Sequence, residues 1–330
     1  MLARRILRGL MLAMALALLV ALLPSLALAE RHGAQGGPEL QAVGHVTISG
    51  DPLAIHVAVD TSIQVFYAGQ SAGQVYSPGY TEADSGGFAW FAPVVLGPNF
   101  AGHDLSAANI VIPWLPGTQV KSGTGTTADP WWLQTNIPGP AGLTVTQWVR
   151  YIDGEDCFRV SYIISNQSAE PNHIIFFEAA DLYVGGENKG LGYYDAATGA
   201  VGAWNQAGTF LEYLVPVTEL GLPPASHYQE AGYQTIWNAI STGPHTPGPG
   251  FNDTIRATPY HDSACGLQWN LTFPGVQPPG NFVELALDWC FLEVQEPPPP
   301  EFVPEPGSVM LLAGGLMGLA GYAGLRIRKR

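Results

Sequence analysis

The chain has 330 residues, with 13 Lys+Arg against 27 Asp+Glu, 40 Gly, 28 Pro, only 3 Cys and 47% hydrophobic residues. Gly and Pro stay below the level of low-complexity disorder, and the hydrophobic fraction suits a chain that buries a core. Three cysteines exclude a disulfide-framework miniprotein and a Cys-rich metal domain, and a net charge of -14 argues against a nucleic-acid partner, which needs clustered Lys and Arg.

Met1 to Ala29 carries Arg4, Arg5 and Arg8, an apolar run from Gly9 to Leu23, then Pro24 and the small-residue tripeptide Ala27-Leu28-Ala29. This is the pattern of a secretory signal peptide cleaved before Glu30. The alternative is an uncleaved anchor, since the run is nearly long enough to cross a bilayer core of ~30 Å. Residues 30–42, with Gly33, Gly36, Gly37 and Pro38, read as a flexible lead.

Residues 43–294 form the exported domain, and period-two patterning dominates them. Leu53, Ile55, Val57 and Val59 alternate with Ala54, His56, Ala58 and Asp60, and Ser62 to Tyr67 follows after a break. Leu143 to Ile152 alternates, Asp153-Gly154-Glu155-Asp156 turns the chain, and Cys157 to Ile164 alternates again, which predicts a hairpin. Further strand candidates are His173 to Glu178, Thr209 to Val215, Tyr233 to Ile240, Leu267 to Phe273 and Phe282 to Val294. Ala169 to Glu178 and Thr218 to Ala225 are the only short-helix candidates, both weakened by proline. Many short strands with Gly/Pro turns and no fixed repeat predict an all-β fold, a large antiparallel β-sandwich of two broad sheets.

Candidate chemistry in this domain is sparse. Glu178, Asp181, Glu187 and Asp195 surround a Gly-rich stretch, Gly185-Gly186-Glu187-Asn188-Lys189-Gly190, and are candidate calcium ligands, although the spacing matches neither an EF-hand nor an RTX repeat. Glu178 and Asp181 are also a candidate catalytic acid and base, as in glycoside hydrolases. The Gly69-Gln70-Ser71-Ala72-Gly73 match to a nucleophile elbow precedes a turn at Val75 to Gly79 where that motif needs a helix, so it reads as a loop. Trp131-Trp132, placed in a loop, would suit stacking on sugar rings if exposed, and otherwise belongs to the core. A Cys265–Cys290 disulfide would close a short loop and leave Cys157 a buried thiol, but an odd count leaves the pairing open. These residues point to a structural or binding protein without evident catalysis, the alternative being a carbohydrate-binding module or carbohydrate-active enzyme.

Residues 295–303 contain four consecutive prolines, a semi-rigid spacer. Pro304-Glu305-Pro306-Gly307-Ser308 follows, then the uncharged apolar segment 309–325, then Arg326, Arg328, Lys329 and Arg330. The segment is long enough to span a thin bilayer as a transmembrane helix, and the basic tail belongs on the cytoplasmic side. The whole of 304–330 resembles the PEP-CTERM sorting signal, an element also labelled the ice-binding protein C-terminal domain. The resemblance covers only about the last 27 residues. It implies an exosortase-type membrane enzyme as partner, a membrane-anchored precursor, a final location at the cell surface or in the extracellular matrix, and a setting rich in extracellular polysaccharide. Seven of the 13 basic residues sit in the two terminal signals, so from Glu30 to Ser308 six basic residues face all 27 acids and the exported part carries a charge of -21. Such a surface repels anionic polymers and attracts divalent cations.

Overall fold

The computed structural model describes residues 44–70, 72–76, 84–91, 94–98, 111–139, 142–166, 172–242, 250–256, 259–273 and 281–294. The expected signal peptide, lead, proline spacer and sorting segment lie outside these residues, as does Ser71. Among the described residues no helix is long and apolar enough to cross a membrane.

The first strands are β1 (His45–Ser49), β2 (Leu53–Ala58), β3 (Ile63–Tyr67), β4 (Ser85–Phe91), β5 (Val94–Gly97) and β6 (Val111–Pro113). Next come β7 (Thr118–Ser122), β8 (Trp131–Pro138), β9 (Leu143–Tyr151), β10 (Cys157–Asn166), β11 (Asn172–Asp181), β12 (Leu191–Asp195), β13 (Ala200–Trp204) and β14 (Phe210–Val217). β15 (His227–Gly232), helix α1 (Tyr233–Thr242), β16 (Ser263–Phe273) and β17 (Phe282–Glu293) follow. They form an eight-stranded sheet in the order β12-β13-β14-β17-β10-β9-β8-β7, a six-stranded sheet β15-β16-β11-β4-β5-β6, and a three-stranded sheet β1-β2-β3. Between the strands of the described residues pairing is antiparallel except for β5 and β6, which run parallel, a departure from the all-antiparallel expectation.

One apolar cluster joins the sheets. From the eight-stranded sheet it takes Val145, Val149, Phe158, Val160, Leu214 and Trp289; from the six-stranded sheet Phe176, Leu267 and Trp269; from the small sheet Ile55 and Val65, all buried. Alternation explains the selection, since every second residue of each strand points to the same side. The expected hairpin is β9–β10, paired Arg150 to Arg159, with Gly154 at φ 94° in its turn. Glycine occupies that left-handed backbone without steric cost.

Four local expectations are corrected. Tyr233 to Ile240 is helical, because Tyr233, Ile236, Trp237 and Ile240 recur at helical spacing, and the last three bury against Phe88, Phe177 and Phe251 on the second face of the six-stranded sheet. The helix candidate Ala169 to Glu178 is instead strand β11 from Asn172 onward, apolar on both faces because both are covered, and Thr218 to Ala225 holds only a 3-10 turn at Glu219–Gly221. Trp131-Trp132 opens β8 and is no loop.

The disulfide expectation is also corrected. Cys157 and Cys290 are bridged, and Cys265 is a free, buried thiol. Cys157 and Cys290 stand opposite each other on β10 and β17 with Cα atoms 4.1 Å apart, while Cys265 points into the core from β16 in the other sheet.

Candidate functional site

The carboxylates that suggested catalysis lie inside the molecule. Glu178 is fully buried between the sheets, where its Oε2 accepts the Tyr162 hydroxyl proton at 2.7 Å, and Tyr162 in turn accepts from Gln147 Nε2 at 3.0 Å. Burial pushes the Glu178 pKa up to about 8, against the opposing pull of the Tyr162 hydrogen bond. Asp181 is 2% exposed and, three residues on, falls on the opposite face of β11. Burial, then the nearby charges of Asp262, Asp84 and Glu212, raise its pKa to about 9. The strand thus separates the expected acid and base, which cannot flank one glycosidic bond.

The expected calcium ligands are likewise dispersed. Asp195 accepts the Ala197 N–H at 3.0 Å and the Thr198 hydroxyl at 2.7 Å, holding the β12–β13 turn. Those hydrogen bonds, Thr198 first, lower its pKa. Glu187, exposed, accepts the Gln206 N–H at 3.1 Å. Among the described residues no group of three or more His, Cys, Asp or Glu is arranged to hold a metal ion.

A constellation the sequence did not single out is Glu230, His261 and Ser263. Glu230, 1% exposed, accepts the Ser263 hydroxyl at 2.5 Å and the Arg256 N–H at 2.8 Å, and His261 Nε2 stands 2.8 Å from its Oε1, off the line of a good hydrogen bond. His261 Nδ1 donates to the Pro259 carbonyl at 3.0 Å. Burial lowers the His261 pKa, but Glu230 and the Pro259 carbonyl outweigh it, and the net shift is upward. With both partners buried and the serine hydroxyl committed to the carboxylate, the group ties β15 to β16 and presents no nucleophile. It also anchors the edge of the other sheet, since Gly190 and His261 exchange backbone hydrogen bonds of 2.9 and 3.3 Å.

Water-accessible chemistry lies elsewhere, on the outer face of the eight-stranded sheet. Alternation turns Trp132 (β8), Trp148 and Arg150 (β9), Arg159 (β10), Asp288 (β17) and Tyr213 (β14) away from the core, each half-buried. The register makes them neighbours: Trp132 opposes Arg150, Arg150 opposes Arg159, and Arg159 opposes Asp288. Trp132 and Trp148 meet edge to face at 5.9 Å, and the Arg150 guanidinium lies 5.7 Å from the Trp132 ring centroid. Arg159 forms a two-pronged pair with Asp288 at 2.8 and 3.0 Å. At the other end Tyr193 (β12) contacts Trp204 (β13) at 6.2 Å and Tyr213 at 6.0 Å. Gly202 opposes both Tyr193 and Tyr213 in the register, and a Cβ there would stand 2.0 Å from the Glu212 carbonyl oxygen and 2.6 Å from the Tyr213 Cα, so glycine lets β13 lie close against β14. Trp132 was legible as a sugar-stacking candidate. Its partners were not, because register across strands is a long-range property.

The described residues therefore define an all-β protein of mainly antiparallel sheets with an aromatic and arginine-bearing outer face. Its C-terminal residues 302–329 match the family model of the PEP-CTERM protein-sorting motif. That motif implies export and sorting through a membrane-anchored precursor, and it is recognised by exosortase, a membrane processing enzyme. No curated protein matches the chain. Among solved structures the chain is similar to heparan sulfate lyase HepC from Pedobacter heparinus, at 11% identity and TM-score 0.41 over 75% of this chain and 34% of that one. It is also similar to a bacterial glucoamylase complexed with acarbose (9% identity, TM-score 0.45, 81% of this chain and 35% of that one). A third is a putative aldose 1-epimerase from Escherichia coli K12 (9% identity, TM-score 0.38, 76% of this chain and all of that one). The chain spans about a third of the length of the first two. These remote likenesses transfer no role to any residue.

Proposed function

We propose that the chain is an exported, non-catalytic protein of the cell surface or extracellular matrix, whose β-sandwich (residues 43–294) binds glycan through the outer face of its eight-stranded sheet. The observation that carries this reading is the cluster of Trp132, Trp148 and Arg150 beside the Arg159–Asp288 pair, on a face that water reaches. Aromatic faces cover the apolar side of a sugar ring, while guanidinium and carboxylate groups meet its hydroxyls. The sorting motif brings such a face to where polysaccharide is found. Cleavage after Ala29 and anchoring by 309–325 belong to the same reading.

A panel of matrix polysaccharides, assayed for retention and for release of reducing ends, tests it. Retention without turnover is expected, and Trp132→Ala is expected to weaken retention at least about tenfold. Turnover abolished by Glu178→Gln would return chemistry to the buried carboxyl and end this reading. The sorting half is tested separately by replacing Pro304, Glu305 and Pro306 with alanine, which is expected to accumulate an unprocessed membrane form. Processing at the normal rate would show that these residues do not act as the signal.

A further inference from the structure

Resting on that reading, we infer that the outer face binds a neutral polysaccharide laid across the strands, gripped at two aromatic ends with a polar middle. One end is Trp132 with Trp148, the other Tyr193 with Trp204 and Tyr213, and between them lies the Arg159–Asp288 pair. The two ends are on the same face of one sheet, on β8–β9 and β12–β14, at the two sides of β10 and β17. From β8 to β12 there are six strand spacings, or about 25–30 Å at the usual spacing of a sheet. That length suits a chain of several sugars and not a single one.

The middle of the path is polar. Arg159 and Asp288 hold each other in a two-pronged pair, offering donors and acceptors to hydroxyls while cancelling each other's charge. Arg150 lies against the Trp132 ring. Charge selects the ligand class. An exported chain carrying -21 repels a polyanion, and Arg150 and Arg159 are two of only six basic residues left to oppose that field. A neutral chain pays no such penalty. Two ends bound by one polymer act at high effective concentration, so affinity must climb with ligand length until both are filled.

The test is a titration of the full chain, purified in detergent, with neutral oligosaccharides from disaccharide to hexasaccharide, with the corresponding neutral polysaccharides glucan, xylan and mannan, and with alginate as a polyanion. Expected are binding of at least one neutral polymer, hexasaccharide at least about tenfold tighter than disaccharide, and loss of that length dependence in both Trp132→Ala and Tyr213→Ala. Trp132→Phe and Tyr213→Phe keep a ring at each position and should retain most of the affinity, and unchanged melting curves show that the alanine variants fold. Disaccharide binding as tight as hexasaccharide, or an effect of substitution at one end only, overturns the two-ended arrangement while leaving glycan binding intact. Preference for alginate overturns the neutral class alone. No binding to any of these probes overturns both this inference and the reading beneath it.

Discussion

Raising the pH from about 5 to about 9 is expected to lower the melting temperature by roughly 10–20 °C, as the loss of on the order of 5 kcal/mol of stability. Glu178 and Glu212 are wholly buried and Asp181 nearly so, and burial raises all three pKa values, to about 8 for Glu178, about 9 for Asp181, and well above the ordinary range for Glu212. A carboxyl whose pKa is higher in the folded state keeps its proton there after the unfolded chain has lost it. Its contribution is complete below the unfolded value near pH 4, and it is lost progressively as pH climbs to the folded value. His261 has the same sign, since its pKa is also raised. Its contribution is complete below about pH 6.5 and goes as pH rises through the folded value. Each pKa unit is worth about 1.4 kcal/mol. The full sum over three carboxyls exceeds what a marginally stable protein can lose, so local opening and water entry must absorb part of it.

Repulsion among the exposed acids also grows with pH, but salt screens it and leaves the buried groups almost untouched. The scan is therefore run at high ionic strength. Glu178→Gln separates the contributions further: the amide oxygen can still accept the Tyr162 hydroxyl proton, and nothing ionises. At about pH 5 the variant should melt within a few degrees of the parent, and near pH 9 it should melt higher. A flat profile for the parent in high salt would show that these carboxyls do not titrate as their burial requires, and the same alkaline loss in the variant would show it for Glu178.

That burial had a trace in the sequence that alternation alone did not reveal. Ile174-Ile175-Phe176-Phe177-Glu178-Ala179-Ala180-Asp181 is apolar at both parities, the mark of a strand covered on both faces. An acid inside such a run has to sit in the core, so Glu178 and Asp181 were never going to share one cleft. The β9–β10 hairpin, β2, β3, β11, β16 and β17 were legible because one strand's pattern suffices to place them. Helix α1 was hidden by residues that satisfy strand propensity as well as the i, i+3, i+4, i+7 spacing of Tyr233, Ile236, Trp237 and Ile240. The outer face was half legible. Trp131-Trp132 drew notice as a pair, yet only Trp132 faces out, while Trp131 packs on the core and gives its Nε1 proton to Asp153. Trp148, Arg150, Arg159 and Asp288 join Trp132 only through the pairing of β8, β9, β10 and β17, with Arg159 and Asp288 129 positions apart in sequence.

The same long-range pairing sets the second large effect: removing the disulfide, as Cys157→Ser with Cys290→Ser, is expected to cost about 3–5 kcal/mol. The bridge spans 133 residues of sequence, and the chain-entropy cost of leaving so long a loop open in the unfolded state is near the top of the usual range. Its placement adds to the effect. Between Cys157 and Cys290 the chain leaves the eight-stranded sheet to form β11, returns for β12 to β14, and leaves again for β15, α1 and β16 before closing with β17 beside β10. The bond fixes that closure at the centre of the sheet, where β10 and β17 pair over nine residues from Cys157–Cys290 to Ser165–Phe282. Thiol labelling gives a check independent of stability. Cys265 is buried, and burial, with Glu212, Glu230 and Glu178 nearby, raises its pKa well above the ordinary thiol value. The unreduced native protein should therefore bind no alkylating reagent, and the unreduced but denatured protein should bind it once, at Cys265. Labelling of Cys157 in the native state would mean that Cys290 is bonded elsewhere, and the entropy argument would then apply to a much shorter loop with a correspondingly smaller effect.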